Sequence, residues 1–303
     1  MFYMLINRLV AKMPRPSLIA AFILFSFWLL WAWYTPNIAQ LLINNSFFVL
    51  LGICGAVFAS ATGAGGGVIF IPAFSTLGFS PEEAISTSFL VQCFGMTAGA
   101  LTWCHHYIKQ HHHNKTWHGF ITMITCCSIF SIAGLWCSKI MHINAPASLH
   151  TSFSLFSIIL GSIIILNSLK KPSSDVTTQF GGKPLLDCAI LCGIGFIGGI
   201  ITAWLSVGVG EIAVIYLMLR GYCTKLSIAV GVVVSAVTVW SATPITLSPD
   251  SLANFEVLLF AGPGALIGGL IAKRVALFFS VMKLKLFFAI WIILTGTVML
   301  FIA

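Results

Sequence analysis

Two stretches decide the fold: Ser60-Ala-Thr-Gly63-Ala-Gly65-Gly66-Gly67-Val-Ile-Phe-Ile-Pro72 and, farther on, Ala203-Trp204-Leu-Ser206-Val-Gly208-Val-Gly210-Glu211. Four glycines in five positions let the backbone leave a helix and present N–H groups, and a helix restarting there aims its positive end at the same spot. Such a place holds an anion without a buried Arg or Lys. Glycines also permit close helix packing, and either stretch alone leaves the two readings level. Recurrence of the break in the other half of the chain favours a site.

Around these breaks the chain is overwhelmingly apolar. Of 303 residues 59% are hydrophobic and 7% charged, with a mean hydropathy of +1.04, where a soluble domain carries about 25% charged residues. A water-soluble fold is therefore excluded, and the apolar surplus must face the lipid bilayer. The net charge of +8 comes from single Lys and Arg residues between apolar stretches, with no basic run of the kind that binds nucleic acid. The nine cysteines are odd in number and lie mostly within or at the ends of apolar stretches, so no disulfide framework is implied.

A bilayer core of about 30 Å needs about 20 apolar residues per straight helix. Clear spans are 17–34, 46–62, 82–103, 117–138, 149–168, 185–204, 226–242, 255–272 and 284–302. Stretches 64–79 and 206–219 are too short and too Gly- or Pro-interrupted for regular helices; each crosses as a broken helix or dips in and returns. The positive-inside rule chooses between these. With the N terminus (Arg8, Lys12, Arg15) inside and both short stretches crossing, the inner loops also hold Lys109, Lys115, Lys170, Lys171, Lys183, Arg220, Lys225, Lys273, Arg274, Lys283 and Lys285, and only Lys139 falls outside. Re-entrant stretches would leave 10 inside and 5 outside. The crossing reading gives 11 passes in a plasma (inner) membrane, with the N terminus cytoplasmic and the C terminus outside. The first pass reads as an added anchor helix rather than a signal peptide, because no small-x-small site follows near Thr35 to Gln40.

Shifting the chain on itself by 145 residues places Gly63 on Gly208, Gly65 on Gly210 and Ala84 on Ala229; a shift of 135 places Gly134 on Gly269, Lys139 on Arg274 and Gly161 on Gly296. The expectation is an all-α polytopic protein: residues 1–45 as tail and anchor helix, 46–168 as a first repeat of five passes with one broken, 169–184 as a cytoplasmic linker, and 185–303 as a second repeat. An odd number of passes inserts the second copy inverted, the plan of secondary transporters. Ten extra residues in the first copy fall where the histidines cluster.

Candidate substrate contacts are the backbones of Gly63, Gly65, Gly66, Gly67, Gly208 and Gly210, with neutral hydrogen bonds from Ser60, Thr87, Ser88, Gln92, Ser206 and Ser235. Glu211 stands out as an acid well inside an apolar pass, where a charged carboxylate costs several kcal/mol and is commonly functional; it is the candidate for proton coupling. The bland alternative is a helix N-terminal cap.

Taken together, Gly63-Ala-Gly-Gly-Gly67, Pro72, Gly78 to Pro81, and Ala84 with Thr87-Ser88, repeated in looser form after Gly208, resemble the sulfite exporter TauE/SafE family over about residues 46–302. The resemblance implies an inner-membrane permease that moves sulfur-containing anions such as sulfite or sulfonates outward, driven by an ion or proton gradient. The chain departs from the pattern at Glu211, which stands where a further glycine is expected, with no Pro six residues on. An acid there is either protonated when the anion binds, or the substrate differs.

The segment from Cys104, Cys-His-His-Tyr-Ile-Lys-Gln-His-His-His-Asn-Lys, raises a rival: a divalent metal permease or metal-gated exporter using His105, His106, His111, His112 and His113. Against it stands a polar solvated loop outside the repeated core. A membrane-embedded metal enzyme would need histidine boxes on one face, and His142 and His150 belong to the opposite side. No catalytic, phosphate-binding or cofactor motif is present, so neither enzyme activity nor a cofactor is expected. Gly264-x-x-x-Gly268 serves either packing within the bundle or pairing of subunits in a homo-oligomer; packing is the simpler reading.

Overall fold

The computed structural model describes residues 15–36, 38–169, 184–279 and 281–302. The expected linker and the cations at Arg8, Lys12, Lys170, Lys171 and Lys183 lie outside the described residues. The helices, in order, are α1 (Arg15–Tyr34), α2 (Ile38–Asn45), α3 (Phe47–Thr62), α4 (Gly67–Thr76), α5 (Pro81–His106), α6 (Phe120–Ile140), α7 (Leu149–Leu169), α8 (Pro184–Leu205), α9 (Val209–Leu219), α10 (Thr224–Thr246), α11 (Phe255–Phe278) and α12 (Val281–Ile302). No strand occurs among the described residues, and six of these helical stretches are long and apolar enough to cross a membrane. Large apolar side chains exposed around the bundle, among them Phe22, Trp33, Leu50, Ile129 and Phe301, face the lipid. The protein is an all-α polytopic membrane protein.

The breakers act where the sequence puts them. Gly63 ends α3 in the left-handed region at φ 84°, its N–H donating to the Ala59 carbonyl. At the end of α4, Gly78 is left-handed and Phe79 N–H reaches back to the Phe74 carbonyl at 3.1 Å, a Schellman closure. Ser80 then caps α5 by accepting from Glu83 N–H, with Pro81 at the first helical position. The second half repeats this ending: Gly221 is left-handed and Tyr222 N–H reaches the Leu217 carbonyl at 3.0 Å.

Both short helices fold back along the helix before them. The Phe74 ring lies 6.4 Å from that of Phe48 at the start of α3. A chain running straight on would separate them by about 39 Å at 1.5 Å per residue. In the second half Asp187, at the start of α8, accepts hydrogen bonds from Tyr216 of α9 at 3.0 Å and from Arg220 and Tyr222 just beyond it at 2.9 and 2.5 Å. Each short helix thus returns to the end where its predecessor began, so α3 with α4 and α8 with α9 each form a hairpin.

The mostly buried α5 and α10 pack against each other in the middle. Around them α3 crosses α11, and α6 crosses α8. Glycines set both crossings: a Cβ on Gly264 or Gly268 would lie 2.2 or 2.4 Å from the carbonyl oxygens of Val49 and Ile53, and one on Gly195 or Gly199 would lie 2.4 or 2.2 Å from those of Cys127 and Ser131. The Gly264-x-x-x-Gly268 step is consumed by packing inside the bundle. Helices α7 and α12 pair with each other; α12 touches α4 and α7 touches α9. These pairings persist when α3–α7 and α8–α12 are exchanged. Outside that scheme α1 packs on α5 and α11, where Trp28 Nε1 donates to the Leu259 carbonyl. The short helix α2 was not expected from hydropathy.

Candidate functional site

The two chain breaks meet at the centre of the bundle. Gly65 N–H donates to Glu211 Oε1 at 2.6 Å, and Gly208 N–H donates to Glu211 Oε2 at 2.8 Å. One carboxylate therefore joins the first break to the second. Gly66 N–H donates to Gln92 Oε1 at 2.7 Å, which fixes the amide orientation and turns Nε2 toward Ser88 Oγ (3.0 Å), Ser206 Oγ (2.8 Å) and the Ser206 carbonyl (3.1 Å). Ser206 Oγ in turn donates to Ser88 Oγ at 3.0 Å. Glu211, Gln92, Ser88 and Ser206 are all buried, and the hydrogen bonds of this set run from 2.6 to 3.1 Å.

Local backbone explains how the groups converge. Ser206 has φ 57°, unusual outside glycine, and Gly208 has φ 149°. A serine in that conformation costs about 1–3 kcal/mol and persists only where its surroundings hold it, as the paired bonds from Gln92 to its carbonyl and hydroxyl do. Helix α9 starts immediately after, so Glu211 sits in its first turn and its carboxylate caps Gly208 N–H. Helix α4 restarts at Gly67, where a Cβ would lie 2.4 Å from the Ser206 carbonyl oxygen; only glycine lets the two breaks approach this closely. The positive ends of two half-helices thus point at one buried carboxylate, whose bonding partners here are backbone N–H groups.

Beside Glu211 lies a cavity of about 10 Å³ lined by Gly65, Gln92, Thr202, Ser206, Ser235 and Val239, among others. That is room for about one water, so no polyatomic anion fits without helix movement. The Ser235 hydroxyl is buried on this cavity and has no hydrogen-bond partner among the described residues. Thr202, absent from the sequence candidates, accepts from Val209 N–H at 3.1 Å and supports the turn; a threonine within an apolar helix carries no mark of this in sequence.

Of the expected contacts, Gly65, Gly66, Gly67, Ser88, Gln92, Ser206, Gly208, Ser235 and Glu211 come together. Gly63 and Gly210 lie behind them as close-packing positions: a Cβ on Gly210 would lie 2.1 Å from Ser235 Oγ and 2.8 Å from the Gly63 carbonyl oxygen. Ser60 and Thr87 lie elsewhere. Ser60 Oγ faces the Met96 sulfur at 3.8 Å, and Thr87 Oγ1 accepts from Asn254 N–H at 2.8 Å. The glycine N–H groups expected to stand free for an anion are, at Gly65, Gly66 and Gly208, already bonded to the protein's own side chains.

Glu211 is not alone as a buried acid. Asp187 is also shielded from solvent, held by Tyr216, Tyr222 and Arg220. Burial, and then the neighbouring Asp187 carboxylate, push the Tyr222 phenol above its usual value, so it stays protonated and donates. This cluster ties α8 to the far end of α9 and sits at the Arg220 end of the bundle, away from the breaks.

The histidine segment is more ordered than a solvated loop. Helix α5 runs to His106 and a π-type turn continues it to His111, because aromatic rings pack there: His111 lies flat on Trp117 at 4.5 Å and 9°, and His106 meets Trp103 edge-on at 5.8 Å. His105 lies in the last turn of α5, while His112 and His113 are exposed. Among the described residues no group of three or more His, Cys, Asp or Glu side chains is placed to hold a metal ion.

No curated protein and no solved structure matches the chain. The family model described as "Sulfite exporter TauE/SafE" matches residues 48–299, from the second residue of α3 to near the end of α12, spanning both breaks, their joined carboxylate and every helix except α1 and α2; the chain belongs to the sulfite exporter TauE/SafE family.

Proposed function

We propose that this permease exports small sulfur-containing anions such as sulfite or organosulfonates across the plasma (inner) membrane, with its N terminus cytoplasmic and its C terminus outside. Residues 46–168 and 185–303 act as two inverted repeats around one central site, and alternating access exposes that site to each side in turn. The exchange-invariant helix pairings and the return of α4 and α9 along their predecessors support the inversion.

The observation that carries the reading is the Glu211 carboxylate bonded at once to Gly65 and Gly208 N–H groups. It occupies the place an oxyanion would take, so substrate and carboxylate compete for the same donors. Protonating Glu211 weakens its hold and releases Gly65 and Gly208 to the incoming anion, while Ser235 Oγ and the Gln92 amide complete the cradle. One proton then accompanies each anion. For a dianion one net negative charge leaves, and an inside-negative potential favours that step by about 2.3 kcal/mol per 100 mV.

The test is flux through purified protein in liposomes, comparing sulfite, isethionate, sulfate and Ni ions with and without an imposed pH gradient. Sulfite or isethionate flux that responds to the gradient is expected. Absence of both fluxes, or movement of Ni ions alone, refutes the proposal.

A further inference from the structure

At the end of the bundle where Glu83 bonds to Asn254, a crevice of about 20 Å³ opens between α5, α6 and α10. It is lined by Ser86 and Phe89 of α5, Leu135 and Lys139 of α6, and Ala242 and Thr246 of α10, with two isoleucines. The central cavity is lined by Gln92 of α5 and Val239 of α10. On both helices the step from crevice to cavity is three residues, Phe89 to Gln92 and Ala242 to Val239, or about 4.5 Å of helix rise. What separates the two spaces is one apolar layer: Phe89, Leu135, Val239 and Ala242 are each at most 2% exposed and pack on one another with Ala203 and Cys93.

Lys139 stands at the crevice mouth. It is exposed, and its ammonium makes no hydrogen bond or ion pair among the described residues. Its surroundings are otherwise unsuited to an anion, because Glu82 and Glu83 begin α5, Glu256 begins α11, and Asp250 lies in the turn before it. An anion arriving at or leaving this acidic end is repelled everywhere except beside a local cation. A lysine in the last turn of a helix also complements the helix dipole, but that role neither needs a crevice nor depends on substrate charge.

We propose that the anion passes between the central cavity and this end by parting the Phe89–Leu135–Val239–Ala242 layer, and that Lys139 is the cation receiving it in the crevice. The proposal rests on the anion-permease reading for its substrate. The path itself is testable without substrate.

In liposomes, initial rates of sulfite or isethionate entering from the Lys139 side should show Lys139→Ala raising KM about tenfold, the low end of electrostatic focusing, with kcat within twofold and Lys139→Arg restoring KM. The difference should shrink at 1 M salt, where the Debye length falls to about 3 Å. An unchanged KM in Lys139→Ala overturns the role of Lys139. For the path, Ala242→Cys is treated from the same side with membrane-impermeant methanethiosulfonates, one anionic (sulfonatoethyl) and one cationic (trimethylammonioethyl), against the unmodified protein as background for native cysteines. The anionic reagent should label Cys at this position faster than background, and adding Lys139→Ala should slow it about fivefold while leaving the cationic reagent no slower. Labelling no faster than background overturns the path. If the unmodified protein moves neither sulfur anion, the functional reading fails, and the two-reagent comparison still decides the path and the part played by Lys139.

Discussion

Replacing Glu211 with Gln changes one atom at the centre of the molecule and removes the ionisable carboxyl group there. The carboxylate accepts from Gly65 N–H at 2.6 Å and from Gly208 N–H at 2.8 Å. A Gln at this position offers one oxygen, so one of these buried donors faces an NH2 group instead. A buried donor left without an acceptor costs about 1–3 kcal/mol, which weakens the closed arrangement of the two breaks by about 5- to 150-fold. Expression and membrane insertion should survive, since the rest of the bundle is untouched. The assay is sulfite uptake into liposomes with and without a pH gradient, alongside a thermal-unfolding scan of the purified variant. Gradient stimulation should disappear, and the midpoint should fall. A variant that keeps full gradient-driven uptake removes Glu211 from coupling and refutes the competition between carboxylate and substrate.

Gln92→Leu strips the acceptor from Gly66 N–H and the donors that hold Ser206 at positive φ, so flux should fall at least about tenfold with a stability loss of about 1–3 kcal/mol, read by uptake and thermal unfolding. Gly134→Val and Gly264→Val place a Cβ 2.0 Å from the Phe196 carbonyl oxygen and 2.2 Å from that of Val49; each should lose about 1–3 kcal/mol or fail to give monodisperse protein, whereas Gly193→Ala, with nothing within 4 Å, should be neutral in the same size-exclusion and melting measurements. Tyr222→Phe removes one donor to Asp187 at 2.5 Å and should cost about 1 kcal/mol, while Asp187→Ala strands two phenols and Arg220 and should cost more; equal melting points for the two would contradict a shared hub. The paired change His112→Ala with His113→Ala alters exposed side chains only and should leave both sulfite flux and Ni binding unchanged.

Local signals carried most of the fold. Apolar length located the ends of α3, α7 and α8 within a residue or two, and Gly78 to Pro81 is legible because each residue has its own backbone role: a left-handed stop, a serine cap and a proline at the first helical position. Helix α2 escaped because eight residues with two asparagines lack the hydropathy of a pass. The site was half legible. Glycine runs and an acid in an apolar stretch named Gly65, Gly208 and Glu211, but nothing local says that a side chain 146 residues away fills the first break. For the same reason the glycine donors looked free. Asp187 was passed over because it lies at the edge of its apolar stretch, and its burial comes from Tyr216 and Tyr222, which become neighbours only once α9 folds back.

The bond between Gly65 and Glu211 also orders the protein's assembly in time. The first break leaves the ribosome long before Glu211 does, and a backbone N–H left unpaired in hydrocarbon costs several kcal/mol. Gly66 finds Gln92 within its own half, but the acceptor for Gly65 arrives only with the later part of the chain. The newly made first half therefore cannot settle α4 at full depth by itself. It has to wait, with its hairpin shallow or shielded, until α8 and α9 insert and bring the carboxylate that completes it.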